Sequence, residues 1–245
     1  MNLLLFQPGE LDAGAALTVA DGRARHLLDV LHVGPGSEVR VGAVDGGIGT
    51  ASVIAVDAGR VTLRCRLGDP PPRPRVDLLL ALPRPKVLRR LWAQLAALGV
   101  GRVMLTNAER VERNYFDTHL LTPAVYEPLL LEGLQQARDT WMPRVTVHRQ
   151  FRRLVEDELD ALCPAAIRLV AEPGEAPRVS RALAHAPPEA RVLLAVGPEG
   201  GWNAFELSQL EAHRFTRVGM QARTLRSDTA CVALLTLVHD ALAAG

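Results

Sequence analysis

The chain has 245 residues, of which 48% are hydrophobic, and its 28 Lys and Arg residues nearly balance 27 Asp and Glu residues. This hydrophobic content excludes an intrinsically disordered chain and is sufficient for one large or two small domains. A formal net charge of +1 excludes a strongly basic protein that binds nucleic acid through its overall charge, so any contact with RNA or DNA has to come from local basic patches.

The cysteines and the N-terminal segment predict a cytoplasmic protein. Cys65, Cys163 and Cys231 are far apart, odd in number and without the spacing of metal ligands, so we expect reduced, buried thiols and no metal site. The apolar run Leu3–Phe6 has no basic segment before it and a Gln-Pro-Gly turn after it, which predicts a strand rather than a signal peptide. No apolar stretch approaches the roughly 20 residues that span a bilayer, so we expect no membrane segment.

Residues 1–69 predict a small β-barrel, because short strand patterns alternate with Asp-Gly and Ala-Gly turns around one helical turn at 24–31. The glycines of Asp45–Gly49 partly match a dinucleotide fingerprint. A strand pattern rather than a helix follows them, so we interpret them as a hairpin. The predicted strands are Leu3–Phe6, Ala16–Val19, Glu38–Val44, Thr50–Val56 and Arg60–Leu67.

A proline-rich linker at 70–75 precedes a second domain at 76–245. Strand and helix patterns alternate in this domain, which predicts an α/β fold with a parallel sheet covered by helices on both faces. Ligands of such sheets bind beyond the carboxyl ends of the strands. The predicted elements are strands at 76–82, 102–105, 145–147, 167–170 and 191–196 and helices at 87–98, 126–137 and 154–162.

Two strand–loop–helix turns near the C-terminus could line one pocket. The first strand ends in the loop Gly197–Gly201, and Asn203 with Glu206 forms a capping pattern for a helix that we expect to run through Phe215. The second strand, about Val218, leads through another loop into the last helix.

The last helix, Asp228–Leu242, carries apolar side chains almost all the way round. Such a helix has to be buried on all sides, either inside its domain or against a second subunit. Its position near the end of the sequence favours a dimer.

Residue chemistry alone leaves the function of these loops open. Gly197, Gly200 and Gly201 allow the backbone to approach adenosine or phosphate closely, but a structural turn is the alternative. Arg226 lies at a helix start beside a carboxylate and two hydroxyls. A capped helix with a surface ion pair is the alternative interpretation of that set.

The segments Leu194–Glu206 and Leu225–Ala230 closely resemble the two C-terminal motifs of the SPOUT superfamily of S-adenosylmethionine-dependent RNA methyltransferases. More narrowly, the chain resembles the RsmE family, which methylates N3 of a uridine in small-subunit (16S) ribosomal RNA. His26–Leu31 is similar to the family motif in a PUA-like RNA-binding barrel. Further segments that fall in the family order are Ala81–Pro83, Leu98–Val100, Arg110-Val111, Gln136 and Pro143.

The resemblance implies a trefoil-knotted SPOUT methyltransferase domain at 76–245 behind a PUA-like barrel at 1–69. It implies a homodimer, S-adenosylmethionine as methyl donor with S-adenosylhomocysteine as product, and ribosomal RNA or the small ribosomal subunit as substrate. Three loops would hold the donor, at 171–173, 197–201 and 218–225. The implied cofactor-binding residues are Ala171, Glu172, Pro173, Gly197, Pro198, Glu199, Gly200, Gly201, Val218, Gly219, Met220, Leu225, Arg226, Ser227 and Thr229.

The implied reaction assigns roles to three charged residues. Uridine N3 must lose its proton before or during attack on the methyl group, and Arg226 is the candidate that stabilises the charge spreading onto the base carbonyl oxygens. Asp228, with Glu199 second, is the candidate that accepts the proton or orients the arginine. A hydrogen bond that stabilises the turn is the alternative role of Glu199.

Basic clusters are the candidates for RNA binding, and they predict a salt-sensitive affinity. A solvated charged face is the alternative for each cluster. The candidates are Arg23, Arg25, His26, Arg84, Lys86, Arg89 and Arg90, together with Arg149, Arg152 and Arg153.

The chain departs from the RsmE pattern at Arg84-Pro85, Ala97, Gln135 and Asp228. These positions lie largely where the substrate would be recognised, and they leave the cofactor loops intact. The alternatives are a non-catalytic RNA-binding paralogue of the same fold, a methyltransferase for a different RNA nucleotide, and an α/β enzyme with another nucleotide cofactor.

Overall fold

The computed structural model describes residues 2–164, 166–174, 176–220, 223 and 225–243. The chain divides into two compact units, Met1–Arg73 with Leu131–Met142 and Pro74–Leu130 with Pro143–Gly245.

Residues 131–142, which the sequence places in the second domain, group with the first unit. The Thr140 hydroxyl donates to the Gly46 carbonyl at 2.7 Å, and the Trp141 indole N–H donates to the Pro71 carbonyl at 2.7 Å. These hydrogen bonds join segments about 70 to 95 residues apart, and local sequence patterns carry no signal for contacts at that separation.

The five strands of the first unit are β1 (Leu4–Phe6), β2 (Ala16–Val19), β3 (Glu38–Ala43), β4 (Ile48–Asp57) and β5 (Arg60–Leu67). They form one sheet in the order β1-β3-β4-β5-β2, in which β1 runs parallel to β3 and the other neighbours are antiparallel. Helix α1 (Gly22–Asp29) begins after Asp21, whose carboxylate accepts from the Arg23 N–H at 2.8 Å. Leu17, Val41 and Leu63 are fully buried in the core beneath the sheet.

The glycines between β3 and β4 form the predicted hairpin, since the two strands pair antiparallel on either side of them. A Cβ atom on Gly49 would lie 1.9 Å from the Arg66 carbonyl oxygen, and one on Gly47 would lie 2.0 Å from the Gly68 carbonyl oxygen. These glycines therefore allow close packing of neighbouring backbone, and the sequence is not a dinucleotide fingerprint.

The six strands of the second unit are β6 (Val76–Ala81), β7 (Val100–Thr106), β8 (Arg144–His148), β9 (Ile167–Ala171), β10 (Val192–Val196) and β11 (Phe215–Val218). They form a sheet in the order β11-β9-β10-β6-β7-β8, and all its pairs are parallel. Every residue of β6 and β10 is buried, as expected of central strands covered on both faces. The predicted α/β fold with a parallel sheet is confirmed.

The helices that follow α1 are α2 (Pro85–Ala97), α3 (Pro123–Ala137), α4 (Phe151–Arg153), α5 (Leu159–Leu162), α6 (Val179–Ala182), α7 (Ala204–Ala212) and α8 (Ser227–Ala243). A π-helical segment, Leu154–Glu158, connects α4 to α5. Asn203 and Glu206 form the predicted capping box at the start of α7. The predicted extension of this helix through Phe215 is wrong. Arg214 takes a φ of 69°, which ends the helix, and Phe215 begins β11.

Helix α8 contacts α2, α6, β6 and β10. Its buried residues include Cys231, Leu234, Leu235 and Val238, whereas Leu237 is 40% exposed. One apolar part of α8 therefore faces solvent in the single chain. Within the described ranges, no helix has the length and apolar character needed to cross a membrane.

The crowding at Gly49 predicts that Gly49→Ala destabilises the first unit, since the new methyl group would collide with backbone atoms of β5. We expect the free energy of unfolding to fall by about 1–3 kcal/mol, measured by urea unfolding followed by circular dichroism. Gly22→Ala is the matched control, because a Cβ there meets nothing within 4 Å. Equal unfolding midpoints for the two variants would contradict the close-packing role of Gly49.

Candidate functional site

The strand order brings the predicted cofactor loops to one edge of the sheet. Strand β9 lies between β10 and β11 and is parallel to both. The carboxyl ends of the three strands therefore point the same way, and the chain leaves them at Ala171, Val196 and Val218. Ligands of parallel α/β sheets bind at this edge, beyond the carboxyl ends of the strands.

A cavity that is partly open to solvent lies beyond the ends of β9 and β11. Seven of the predicted cofactor residues line it: Ala171, Glu172, Pro173, Val218, Gly219, Met220 and Leu225. Arg223, which falls within the predicted loop 218–225, lines it too, and the described lining is completed by Ala230 and Leu234, which sequence reasoning did not assign to the pocket. The spacing of Ala230 and Leu234 by four residues, on one face of the last helix, is the signal that could have found the latter two.

Backbone hydrogen bonds hold the cavity walls together. The Glu172 N–H donates to the Val218 carbonyl at 3.0 Å, and the Gly219 N–H donates to the Pro177 carbonyl at 2.8 Å. A Cβ atom on Gly219 would lie 3.2 Å from the Ala176 carbonyl oxygen, so the backbone passes close at this point. Gln221, Ala222 and Thr224, which fall within the predicted loop 218–225, lie outside the described residues.

Glu172 is the acidic group of this cavity. Burial raises the pKa of the Glu172 carboxyl, and the positive charge of Arg217 opposes the rise only in part. A carboxylate in a mainly apolar cleft is suited to accept hydrogen bonds from hydroxyl groups of a ligand.

The second predicted loop, 197–201, contacts other groups. The Gly201 N–H donates to the Pro198 carbonyl at 2.8 Å, which closes a tight turn, and Gly201 has a φ of 74°. The Arg110 guanidinium donates to the Gly200 carbonyl, and a Cβ atom on Gly197 would lie 3.1 Å from the Trp202 ring. None of these five loop residues is among the described lining of the cavity above.

Glu199 lies near the start of α2. Its Oε1 atom is 3.5 Å from the Arg84 backbone nitrogen, at the edge of hydrogen-bonding distance. The structure thus places Glu199 beside Arg84, one of the predicted RNA-binding residues.

Asp228 connects two arginines at the start of α8. Its Oδ2 atom accepts from Arg90 Nη2 at 2.6 Å, and its Oδ1 atom lies 3.8 Å from Arg226 Nε. The Asp228 side chain is only 16% exposed, whereas that of Arg226 is 73% exposed. Burial acts to raise the pKa of Asp228, but the hydrogen bonds from the Thr229 N–H and Arg90, with the charge of Arg226, bring the pKa below its ordinary value.

This arrangement favours an orienting role for Asp228. A carboxylate that is ionised, paired and low in pKa is a poor proton acceptor near neutral pH. A second cavity, also open to solvent, begins at this ion pair and lies between α2 and α8. Its lining residues are Arg90, Gln94, Asp228, Thr229, Val232 and Ala233. Ser227, the remaining predicted cofactor residue, is buried.

The predicted RNA-binding cations of the first unit differ in their surroundings. Arg23 pairs with Glu10 at 2.5 Å and with Asp21 at 2.8 Å, and the hydrogen bond with Glu10 is the largest cause of its raised pKa. Arg23 is thus committed to internal ion pairs. Arg25 is exposed and His26 is half-buried on the same helix, α1.

In the second unit, four exposed cations lie at the start of α2: Arg84 immediately before the helix, and Lys86, Arg89 and Arg90 in its first turns. Positive side chains near a helix N-terminus are unfavourable for the helix dipole, so this placement is not explained by helix stability. In the other predicted cluster, Arg149 lies over the Phe116 ring, Arg152 pairs with Glu156, and Arg153 pairs with Glu158.

Among the residues that the structure describes, no three acidic, His or Cys side chains are grouped so as to hold a metal ion.

Known proteins resemble this chain over most of its length. Ribosomal RNA small subunit methyltransferase E of Treponema pallidum is 29% identical, over 97% of this chain and 90% of that protein. The crystal structure of ribosomal RNA small subunit methyltransferase E from Neisseria gonorrhoeae, bound to S-adenosyl methionine, has a TM-score of 0.76 at 20% identity and covers 98% of this chain and 97% of that one. A probable rRNA-methyltransferase from Porphyromonas gingivalis has a TM-score of 0.77 at 20% identity, with 100% and 99% covered.

The family model for the RNA methyltransferase domain matches residues 70–239. This match confirms the resemblance recognised in the two C-terminal motifs. The chain belongs to the RNA methyltransferase domain family.

Proposed function

We propose that this protein transfers a methyl group from S-adenosylmethionine to N3 of a uridine in 16S ribosomal RNA. The observation that carries the proposal is the cavity beyond β9 and β11. It is lined by residues from two of the three implied donor loops, 171–173 and 218–225. The names of the relatives support the rRNA of the small subunit as substrate. The N3 position rests on the motif resemblance.

The residues of the cavity fit S-adenosylmethionine. Apolar side chains such as Met220, Leu225 and Leu234 offer walls for an adenine ring, and Glu172 and Gly219 also line the cavity. The Glu172 carboxylate is the group suited to the ribose hydroxyls. The Neisseria gonorrhoeae relative was crystallised with S-adenosyl methionine, which supports the same donor here.

The donor supplies an electrophilic methyl group on a sulfonium, and the protein has to activate and orient the uridine. Loss of the N3 proton spreads negative charge onto the base carbonyl oxygens, and Arg226 is exposed and able to meet that charge. Asp228 holds Arg226 and Arg90 near each other. The products are N3-methyluridine, S-adenosylhomocysteine and one proton, which leaves to solvent or to a base such as Glu199.

We also propose how the protein binds RNA and that it forms a homodimer. The sheet of the first unit is proposed to be a PUA-like RNA-binding barrel, and the exposed cations on α2 are proposed to contact the RNA backbone. The partly exposed apolar surface of α8, which includes Leu237, supports a homodimer. We further propose a trefoil knot around α8 and a cytoplasmic location, where ribosomal RNA is found.

Calorimetry with S-adenosylmethionine, S-adenosylhomocysteine, ATP and NAD tests the donor, and methyl transfer to unmodified small subunits and free 16S rRNA tests the substrate. We expect binding of the first two compounds and one methyl group per RNA, mapped to N3 of a uridine. Binding of ATP or NAD instead would indicate another cofactor. Donor binding without transfer to either RNA would favour the non-catalytic paralogue, and a product at another nucleotide would correct the target.

Filling the cavity should block donor binding without unfolding the protein. Ala230→Leu adds apolar volume to the lining of the cavity on a helix that tolerates leucine well. We expect the calorimetric Kd for S-adenosylmethionine to rise at least about tenfold, or about 1.4 kcal/mol. Ala243→Leu, at the exposed end of the same helix, is the control and should bind as the wild type does. An unchanged Kd in Ala230→Leu would place the donor elsewhere.

The roles of Arg226 and Asp228 are separable by kinetics. We expect Arg226→Ala to lower kcat by at least about 100-fold with little change in donor Kd, because it removes charge stabilisation in the transition state. Asp228→Asn should lower kcat while leaving the shape of the kcat–pH profile between about pH 5 and 8 unchanged, because a carboxyl group with a lowered pKa stays ionised throughout that range. Loss of an acidic limb in Asp228→Asn would instead identify Asp228 as the base.

A further inference from the structure

Glu206 makes a hydrogen bond that its capping role does not require. Its Oε2 atom accepts from the Asn203 N–H at 2.8 Å, and Asn203 Oδ1 accepts from the Glu206 N–H at 2.8 Å, which together form the capping box of α7. Its other carboxylate oxygen, Oε1, accepts from the Glu109 N–H at 2.7 Å. Glu109 lies in the loop that follows β7, so one carboxylate joins that loop to the start of α7.

Because Glu206 is buried, its carboxylate depends on these hydrogen bonds. The residue is 4% exposed, and a buried carboxylate is tolerated only where hydrogen bonds replace its hydration. Hydrogen bonds to an ionised group are also stronger than neutral ones. A helix cap needs no such burial, because exposed residues cap helices well. The position of Glu206 therefore reflects the connection between the two loops as well as the cap.

Arg110, the next residue in the loop that follows β7, makes a second contact with the same region. Its guanidinium donates to the Gly200 carbonyl, and a Cβ atom on Gly200 would lie 2.8 Å from Arg110 Cδ. Two neighbouring residues therefore contact the glycine loop and the helix after it. Arg110 bonds Gly200 inside the loop, and Glu109 bonds Glu206 in the first turn of α7. Residues 197–201 are thus contacted by the loop that follows another strand of the sheet, β7.

We propose that Glu206 is a positioning residue for the methyl donor. It acts through the loop 197–201, which it holds in place by fixing the β7 loop against the start of α7. The inference rests on the proposed function and on the donor-binding role that the motif resemblance implies for that loop, whose residues are outside the described lining of the cavity. It also implies that the loops 107–111 and 197–203 keep their conformation together when the donor binds.

Glu206→Gln tests the proposal with little change in side-chain size. The amide nitrogen of glutamine cannot accept a hydrogen bond, so either the Asn203 N–H or the Glu109 N–H loses its partner. We expect the Kd for S-adenosylmethionine to rise about tenfold, while RNA affinity without donor stays within about twofold. Hydrogen exchange should become faster in peptides covering 107–111 and 197–203 and stay unchanged in β4 and β5.

Two variants make the test specific. Glu156→Gln removes a carboxylate elsewhere in the second unit, one that pairs with Arg152, and should match the wild type in donor Kd. Arg110→Ala removes an exposed side chain that bonds Gly200, so it tests the same connection if Glu206→Gln does not fold, and it too should weaken donor binding.

Different results would refute the proposed function and the positioning role of Glu206. Absence of S-adenosylmethionine binding by the wild type refutes the proposed function. The positioning role is refuted if the wild type binds the donor and both Glu206→Gln and Arg110→Ala bind it as tightly. It is also refuted if donor and RNA affinity fall equally together with general acceleration of hydrogen exchange, since that pattern reports a purely structural role.

Discussion

Parallel pairing of β9 with β10 and β11 is the constraint on which the candidate site depends. The register sets Ile167 opposite Val192 and Arg168 opposite Phe215, so three loops from distant parts of the sequence leave the sheet at the same edge. The strands are short and almost entirely apolar in the centre of the sheet. Their burial stabilises the sheet, and the glycine-containing loops at its edge are left to form clefts.

Charge pairing separates the structural cations from those available to a ligand. Arg23 is held between two carboxylates in the first unit, and Arg168, which is largely buried, donates to Asp160 at 2.5 Å. Arg226 is different, because its partner Asp228 is shared with Arg90 and its own side chain is mostly in solvent. A cation that is oriented but still accessible is the kind of group that can meet developing negative charge on a substrate.

The loops at the sheet edge are not independent of one another. Glu172 and Val218 connect the ends of β9 and β11 through backbone hydrogen bonding, and Glu206 and Arg110 connect the loops after β7 and β10. Buried or closely packed contacts of this kind have few alternative arrangements. The proposed donor site would therefore be preorganised, with less conformational entropy lost on binding.

Local patterns in the sequence determined the strands, most helices, the Asn203–Glu206 cap, the hairpin at Asp45–Gly49 and the two motifs of the RNA methyltransferase family. Each depends on neighbouring residues or on period, which a single sequence displays directly. Only the tertiary structure decided that α7 ends before Phe215, that residues 131–142 join the first unit, that Ala230 and Leu234 complete the cavity, and that Asp228 binds Arg90. Those features depend on which distant segments meet, because a side chain's partner and burial follow from the packing of the sheet and helices and leave no periodic trace in the chain.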